Sequence, residues 1–592
     1  MSPTPNPPTT DIGSSMTEPA ATTRAALLNA EENTLFRQNL PPAIIAAGLF
    51  FGLICGAFEI TNTSIGWHLA SGQWMLEHRE ILDHDVFSFT SDGTEWVDHE
   101  WLFQVISAVL FDLGGAPALV IMRMLIVAAL VLLLVRIGMT SGLDPPVALL
   151  LSALVVLAAR PRFFLRPELF TLLLLPLAMW LFADRRGRRF WPLPLVAVIA
   201  LGANLHGAIL VAPILISIWY SGEVGDQIIR RRPDRSMLSS GAIGVGAAFL
   251  APLLNPHGWM VWAVPFRLAE MVSQPHIPNP EWISPGPAEA PALFAAFVLA
   301  AVVLIAGRAT PQYWLSATAA AALAVKHIRN IGLFFVLLPQ AIAPSLARWP
   351  IFAADGAPAR SRPRLRLALS LTLVGVLGVS AFVRPWPRAG FGFAENWYPD
   401  EALRFLTDEQ LLEGNLYNDV RFGGWLIFDG YPSRQVFLDD RNEIHEPLLR
   451  EIWEIFARSD VTAWEHLLER WRIDTILLRY HEPIKVSTPD GNDLGRRGFS
   501  TLWFRSSNWA TVYWDDVAIV LVRRSSAPAA FLSEHEYVVT HPDDFEHLTK
   551  SLLTDLELRQ AVKAELIRTL NDNPNCRRAF DLAVFLDSLP GM

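Results

Sequence analysis

Three arginines within seven residues, Arg160-Pro-Arg162-Phe-Phe-Leu-Arg166, are the stretch of this sequence best equipped for chemistry. A guanidinium is a planar fork that matches phosphate or carboxylate oxygens and keeps its charge in a protein. Three so close repel one another unless an anion sits among them. Two partners suit them: a phosphate carried to the site, or carboxylates such as Glu168, Asp85 and Glu100 acting as structural bridges. The acids Glu59, Asp85, Asp98 and Glu100 could supply a general base or oxygen ligands for a hard divalent cation, although acids in an exposed loop are commonly only solvated. His68, His99, His206 and His257, with Asn204, Asn255, Glu281 and Arg329, could touch a substrate or serve as hydrogen-bonded interface residues. His99-Glu100 has no second histidine at helical spacing, so it is not a zinc-protease helix. The sequence holds no glycine-rich phosphate loop, GxSxG elbow or CxxC pair. Its two cysteines, Cys55 and Cys576, offer no disulfide framework.

The elements that must hold these residues are set by composition. The chain has 592 residues, 52% hydrophobic and 18% charged, against roughly 25% charged for soluble domains, which excludes a single soluble globule. Charge is uneven: residues 384–592 carry 23 Lys and Arg and 34 Asp and Glu. With a net charge of −10, a surface tracking nucleic-acid phosphates is excluded as an expectation. Residues 1–40, rich in Pro, Thr, Ser and Ala with no apolar core, are expected to be a disordered tail and not a signal peptide.

Eleven apolar stretches follow, at about 41–60, 117–138, 145–160, 168–183, 191–204, 208–220, 238–254, 292–306, 312–326, 330–346 and 367–383, each near the length that spans a bilayer core. Cytoplasmic loops retain Lys and Arg. With the N-terminus inside, the inner segments hold 17 basic residues, among them the runs at 185–189, 230–235 and 360–366, and the outer loops before residue 384 hold seven. Eleven crossings then put the C-terminal part outside, in the periplasm of a bacterial cell. In this topology the unusual polar residues share the outer level. Ionisable groups at membrane depth usually face a cavity or a partner, so that level is either a site or an ordinary polar ring.

Residues 41–383 are therefore expected to be a membrane domain with a long outer loop at 61–116, where Trp67, Leu69, Trp74, Met75 and Leu76 suit a surface helix and Glu100–Leu113 a second one. Residues 384–525 read as a soluble α/β domain, with strands at 416–428, 435–438, 474–478 and a pair within 511–523, and helices at 447–458 and 462–471. From about residue 395 to 525 this unit is expected to fold alone. Residues 526–592 read as a helical tail.

Ile65-Gly-Trp-His-Leu-Ala-Ser-Gly-Gln-Trp-Met-Leu-Glu-His, Leu82-Asp-His-Asp-Val-Phe-Ser-Phe-Thr and Trp96-Val-Asp-His-Glu-Trp-Leu form a pattern that continues through Arg166-Pro167, Asn204-Leu-His206-Gly, Leu254-Asn-Pro-His-Gly258, Glu281-Trp and Arg329-Asn. It reaches Phe422-Gly-Gly-Trp-Leu and Phe437-Leu-Asp-Asp-Arg441 in the soluble part. This pattern resembles a family of bacterial polytopic membrane proteins similar to glycosyltransferases of the GT-C fold, such as protein mannosyltransferases, the aminoarabinose transferase and the oligosaccharyltransferase catalytic subunit. The resemblance covers most of residues 41–525. It implies a polyprenyl-phosphate-linked sugar donor in the membrane lipid, an acid of the first outer loop as base or metal ligand, and a periplasmic domain. Relatives typically bear Asp just before Trp-His, where this chain has Asn62 and Ser64, which leaves Glu59, Asp85 or Glu100 as the base.

The expected protein is thus a polytopic α-helical membrane protein of about eleven spans, GT-C-like, with a C-terminal periplasmic α/β domain and a short helical tail, at the bacterial inner membrane. Its expected function is sugar transfer, with Asp85 or Glu100 deprotonating the acceptor and Arg160, Arg162 and Arg166 holding the phosphate. The alternatives are a non-catalytic descendant acting as a binding or assembly module of the cell envelope, and a transporter.

Overall fold

The computed structural model describes residues 40–185, 190–274, 280–354, 363–383, 388–487 and 493–589. The N-terminal tail to residue 39, Arg186 to Arg189 of one basic run, and Arg360 and Arg362 of another lie outside the described residues.

The chain is mostly helical, and each of the eleven apolar stretches is a helix. In order they are α1 (Pro42–Gly56), the loop helix α2 (Ile65–His78), α3 (Trp101–Thr140), α4 (Pro145–Ala159), α5 (Glu168–Ala183), α6 (Pro192–Leu205), α7 (Val211–Ile229) and α8 (Arg235–Leu250). The short amphipathic α9 (Val264–Val272) precedes α10 (Pro291–Ala306), α11 (Pro311–Lys326), α12 (Ile331–Leu346) and α13 (Pro363–Val383). Among the described residues five helices are long and apolar enough to cross a membrane: 101–140, 145–162, 207–229, 235–254 and 328–346; shorter apolar helices accompany them. The chain is a multi-pass membrane protein. Gly114 and Gly115 break α3 into a surface turn-in and a span, because Gly115 sits at φ +62°, where a side chain would be strained. Small residues let helices approach: a Cβ on Gly52 would lie 2.4 Å from the Ala128 backbone, so α1 and α3 touch main chain to main chain. Outward-facing Phe50, Val298 and Ile305 stay exposed, as side chains turned to lipid do.

The C-terminal part holds a four-stranded sheet in the order β1-β2-β6-β5, with β1 (Asn415–Asn418) parallel to β2 (Ile473–Arg479), and β6 (Ala518–Arg523) antiparallel to both β2 and β5 (Trp509–Trp514). A separate hairpin pairs β3 (Ile484–Ser487) with β4 (Asp493–Arg497). α14 (Asp400–Asp408), α15 (Val420–Gly430), α16 (Asn442–Ala457) and α17 (Val461–Arg470) belong to this part, with five further helices between Phe499 and Ser588.

Two expectations are corrected. The strand at 416–428 ends at Asn418: Asp419 accepts the Arg421 N–H and caps α15, turning the apolar run into a helix. The segment 435–438 makes a single bridge, Val436 to Ser88, outside the sheet. The domain is packed around the first outer loop. Trp67, Trp74, Phe87 and Trp96 of the loop share one core with Phe422, Trp425, Val436 and Leu477. Backbone bonds join the two, Val436 N–H to the Phe87 carbonyl at 2.9 Å and Phe89 N–H to the Val436 carbonyl at 3.1 Å.

The tightest point of this docking is Gly66 of α2, where a Cβ would stand 2.1 Å from the Gly424 carbonyl oxygen. Gly66→Ala should therefore destabilise the protein by about 1–3 kcal/mol, the usual range for forced overpacking. Thermal unfolding of the purified variant measures this, and an unchanged midpoint would mean that α2 and α15 are not in contact.

Candidate functional site

Three polar turns meet at one end of the helical bundle. α6 stops at Leu205 because His206 is extended, at φ −164° and ψ 129°. Its last turn carries Asn204, whose Oδ1 accepts the Trp101 indole N–H at 2.8 Å and whose Nδ2 donates to the Ala200 carbonyl. The turn after Leu254 carries Asn255, which donates to the Ala203 carbonyl at 2.9 Å and accepts the His257 N–H. His257 Nε2 lies 3.1 Å from the Asp98 carbonyl oxygen and so ties the third turn, Asp98-His99-Glu100, to the other two. Gly207 is needed here, since a Cβ would fall 2.9 Å from the His99 ring.

Glu100 is the centre of this junction. Its Oε1 is 3.6 Å from His99 Nε2 and 3.7 Å from His206 Nε2, and His206 Nδ1 is 2.8 Å from the Thr171 hydroxyl. Burial, with Asp98 and Glu443 adding to it, pushes the Glu100 carboxyl well above the usual range. Burial also raises Asp98, to about 8, against the hydrogen bonds it accepts from Glu100 N–H and Gln104. The same desolvation lowers His99 to about 4 and holds His206 and His68 well below their ordinary value. Desolvation thus favours the neutral form of the imidazoles and of the carboxyl they surround. His68 stacks 3.6 Å from the Trp67 ring and edges onto Phe103, and its Nδ1 is buried without a hydrogen-bond partner among the described residues.

The arginines divide. Arg162 grips Glu168 with two N–H groups and reaches Glu281 Oε1 at 3.2 Å. Arg166 donates to the same Glu281 oxygen at 2.9 Å. Burial opposes ionisation of Glu281, yet Arg166 and Arg162 hold its carboxyl down to about 2. Arg329 stacks on Trp282 at 4.6 Å and makes no ion pair among the described residues. The structure thus brings together His68, His99, Glu100, Arg162, Arg166, His206, Asn255, His257, Glu281 and Arg329.

It does not bring in three expected members. Arg160 lies over the Phe58 ring at 5.4 Å, on the side of Arg123. Glu59 packs against the position of Gly390 and hydrogen-bonds through its backbone to Arg388. Asp85 is fully buried, accepts the Phe87 and Ser88 N–H groups and the Ser88 hydroxyl, and pairs with Arg441 Nη2 at 2.8 Å. A carboxylate so engaged is a structural anchor, which removes Asp85 as a base. Among the described residues no three His, Cys, Asp or Glu side chains converge as a metal-binding set, so the donors for a divalent cation do not fit and no step below uses one. Thr171 and Asp440 stand at the site; the sequence does not single out Thr171, and Asp439-Asp440-Arg441 reads in it as a strand-end salt bridge or a ligand site of the soluble domain. Thr171 lies inside an apolar helix, and Asp440 is more than 270 residues from the arginines in sequence.

No family model and no curated protein matches the chain. Among solved structures it is similar to the oligosaccharyltransferase of Archaeoglobus fulgidus. The apo form gives a TM-score of 0.52 at 10% identity over 90% of this chain and 86% of that one. The complex of this archaeal oligosaccharyltransferase, AglB, with an inhibitory peptide and a dolichol-phosphate gives 0.52 at 10% identity over 92% and 85%. The complex with Zn and sulfate gives 0.50 at 11% identity over 92% and 85%. The likeness is one of fold, and the chain resembles GT-C glycosyltransferases in it.

Proposed function

We propose that this GT-C-like membrane protein moves a sugar from a polyprenyl-phosphate carrier to an acceptor at the outer face of the bacterial inner membrane. In this reading the chain crosses eleven times, with its N-terminus cytoplasmic and its C-terminal domain periplasmic. The observation that carries the proposal is the position of Glu100, a carboxyl that burial pushes well above the usual range, set between His99 and His206 and within the field of Arg329 and Arg166. A carboxyl in that state gives a proton and does not take one, so Glu100 is assigned to the phosphate oxygen that the sugar leaves. Arg329 and Arg166 receive the phosphate and stabilise its growing charge, while Arg162 fixes Glu281 and Glu168 behind them. His68, His206 and His257, with Asn255, line the sugar side.

A second reading, a non-catalytic envelope module, is favoured by one observation. Asn62, where relatives bear Asp, has its side chain committed to the Leu165 carbonyl at 2.9 Å. The deciding experiment uses purified full-length protein in nanodiscs with undecaprenyl-phosphate-linked hexoses and pentoses, one at a time, and a cell-envelope extract of glycans, lipids and proteins to supply the acceptor hydroxyl. Wild type should release the lipid phosphate, and Glu100→Gln should do so about 100-fold more slowly or worse while binding the donor, the scale of a lost proton transfer. Donor binding without release by wild type, across the set, would favour the module instead.

A further inference from the structure

A carboxylate of the soluble domain stands beside this junction. Asp440 follows Asp439 in the segment before α16, and its Oδ1 accepts the Trp67 indole N–H at 2.7 Å. That indole lies against His68, whose charge balance Arg166 also governs, so Asp440 stands over the histidines on one side and within the field of Arg166 on the other. The remaining acids are engaged. Asp85 is bound to Arg441, Glu281 to Arg162 and Arg166, the exposed Glu443 accepts the Trp96 indole N–H at 3.2 Å, and burial raises Asp98 to about 8 and Glu100 well above its usual range. Asp440 is only half-buried. Burial and the neighbouring Asp439 raise its carboxyl to about 6, with Arg166 and the Trp67 N–H pulling it back. A group with that value is ionised at pH 7 and still basic enough to accept a proton.

We infer that Asp440 is the general base of the transfer, taking the proton of the acceptor hydroxyl that attacks the sugar. The inference rests on the sugar-transfer reading above. As Asp440 takes the proton, the acceptor oxygen bonds to the anomeric carbon, the bond from that carbon to the phosphate oxygen breaks, and its electron pair stays with the phosphate. That oxygen receives the Glu100 proton.

The test is donor cleavage by Asp440→Asn in the same nanodisc assay, over pH 5–8. The expected result is a loss of at least about 100-fold in kcat with donor KM within about threefold, the scale of a missing base. The wild-type rate should fall as pH drops through about 6, and the residual variant rate should lack this limb. Trp67→Phe, which keeps the ring and deletes the N–H, should retain activity and move the acid limb to higher pH, because the hydrogen bond that favours the carboxylate is gone. The groups acting on this limb are Asp439 beside Asp440, Arg166 from the arginine loop and Trp67 from α2. An Asp440→Asn rate near that of wild type, or an acid limb unmoved in both variants, overturns the assignment. A wild type inactive on every donor removes the transfer reading itself, and the base with it, and is distinguishable because the variant comparison never arises.

Discussion

Arg441→Ala should cost about 3–5 kcal/mol of stability, the range for removing one partner of a buried ion pair. Arg441 is 1% exposed, forks onto Asp439 through Nε at 2.8 Å and Nη2 at 2.6 Å, and reaches Asp85 at 2.8 Å. Phe87 and Trp96 stand 5.1 Å from its guanidinium and Trp67 5.9 Å, so no water replaces the lost donor. Two carboxylates lose their guanidinium at once, Asp85 on the outer loop and Asp439 on the soluble domain, which keeps only the His445 side chain at 3.1 Å. Asp85→Asn gives up the acceptor for one of the Phe87 and Ser88 N–H groups but leaves Arg441 paired with Asp439 and strands no charge, so it should cost clearly less. Chemical or thermal unfolding of the two purified variants gives the comparison, and equal losses would mean that Arg441 is not the shared counter-ion.

Arg162→Ala and Arg166→Ala should separate stability from binding. Arg162 is the sole basic partner of Glu168 among the described ion pairs, and that carboxylate is buried at the start of α5; stranding it should again cost about 3–5 kcal/mol. Arg166 is a third exposed, and its removal leaves Glu281 still held by Arg162. Its variant should stay folded. If the arginine receives the lipid phosphate, affinity for undecaprenyl phosphate should fall by roughly 10- to 150-fold, the equivalent of a charged hydrogen bond worth about 1.5–3 kcal/mol. Unchanged lipid binding in Arg166→Ala with a lowered melting temperature would reduce the arginine cluster to a structural bridge.

Much of the polar junction is legible in the sequence. Asn204-Leu-His206 and Leu254-Asn-Pro-His257 stand out because each ends an apolar span with groups that lipid would not tolerate. The anionic partner demanded by the arginines is also legible, and Glu281, 115 residues from Arg166, answers part of that demand. What is not legible is commitment over distance. Nothing near Asp85 in sequence shows that Arg441 will occupy it, and nothing near Arg160 shows that it will turn to Phe58 instead of joining Arg162. The helix α15 is misread as a strand because a short apolar run supports either, and because Gly423-Gly424 looks unsuited to a helix. Those glycines answer to packing: a Cβ on Gly423 would meet the Leu438 carbonyl oxygen at 2.2 Å, and one on Gly424 the Thr63 carbonyl oxygen at 2.7 Å.

The loop that completes the soluble domain is made long before its partner. Val86 and Gln435, hydrogen-bonded in the folded protein, are 349 residues apart. At a synthesis rate of about 5–20 residues per second, the loop waits on the order of 20–70 s before its partner exists. During that interval Trp67, Trp74 and Phe87 have no soluble-domain core to enter, and Asp85 has no guanidinium. The helical bundle must therefore be inserted while its largest outer loop is still an unfinished surface, exposed to chaperones and proteases. Late truncations that remove Arg441 should then be cleared from the cell as orphaned loops, even though every apolar helix before them is intact.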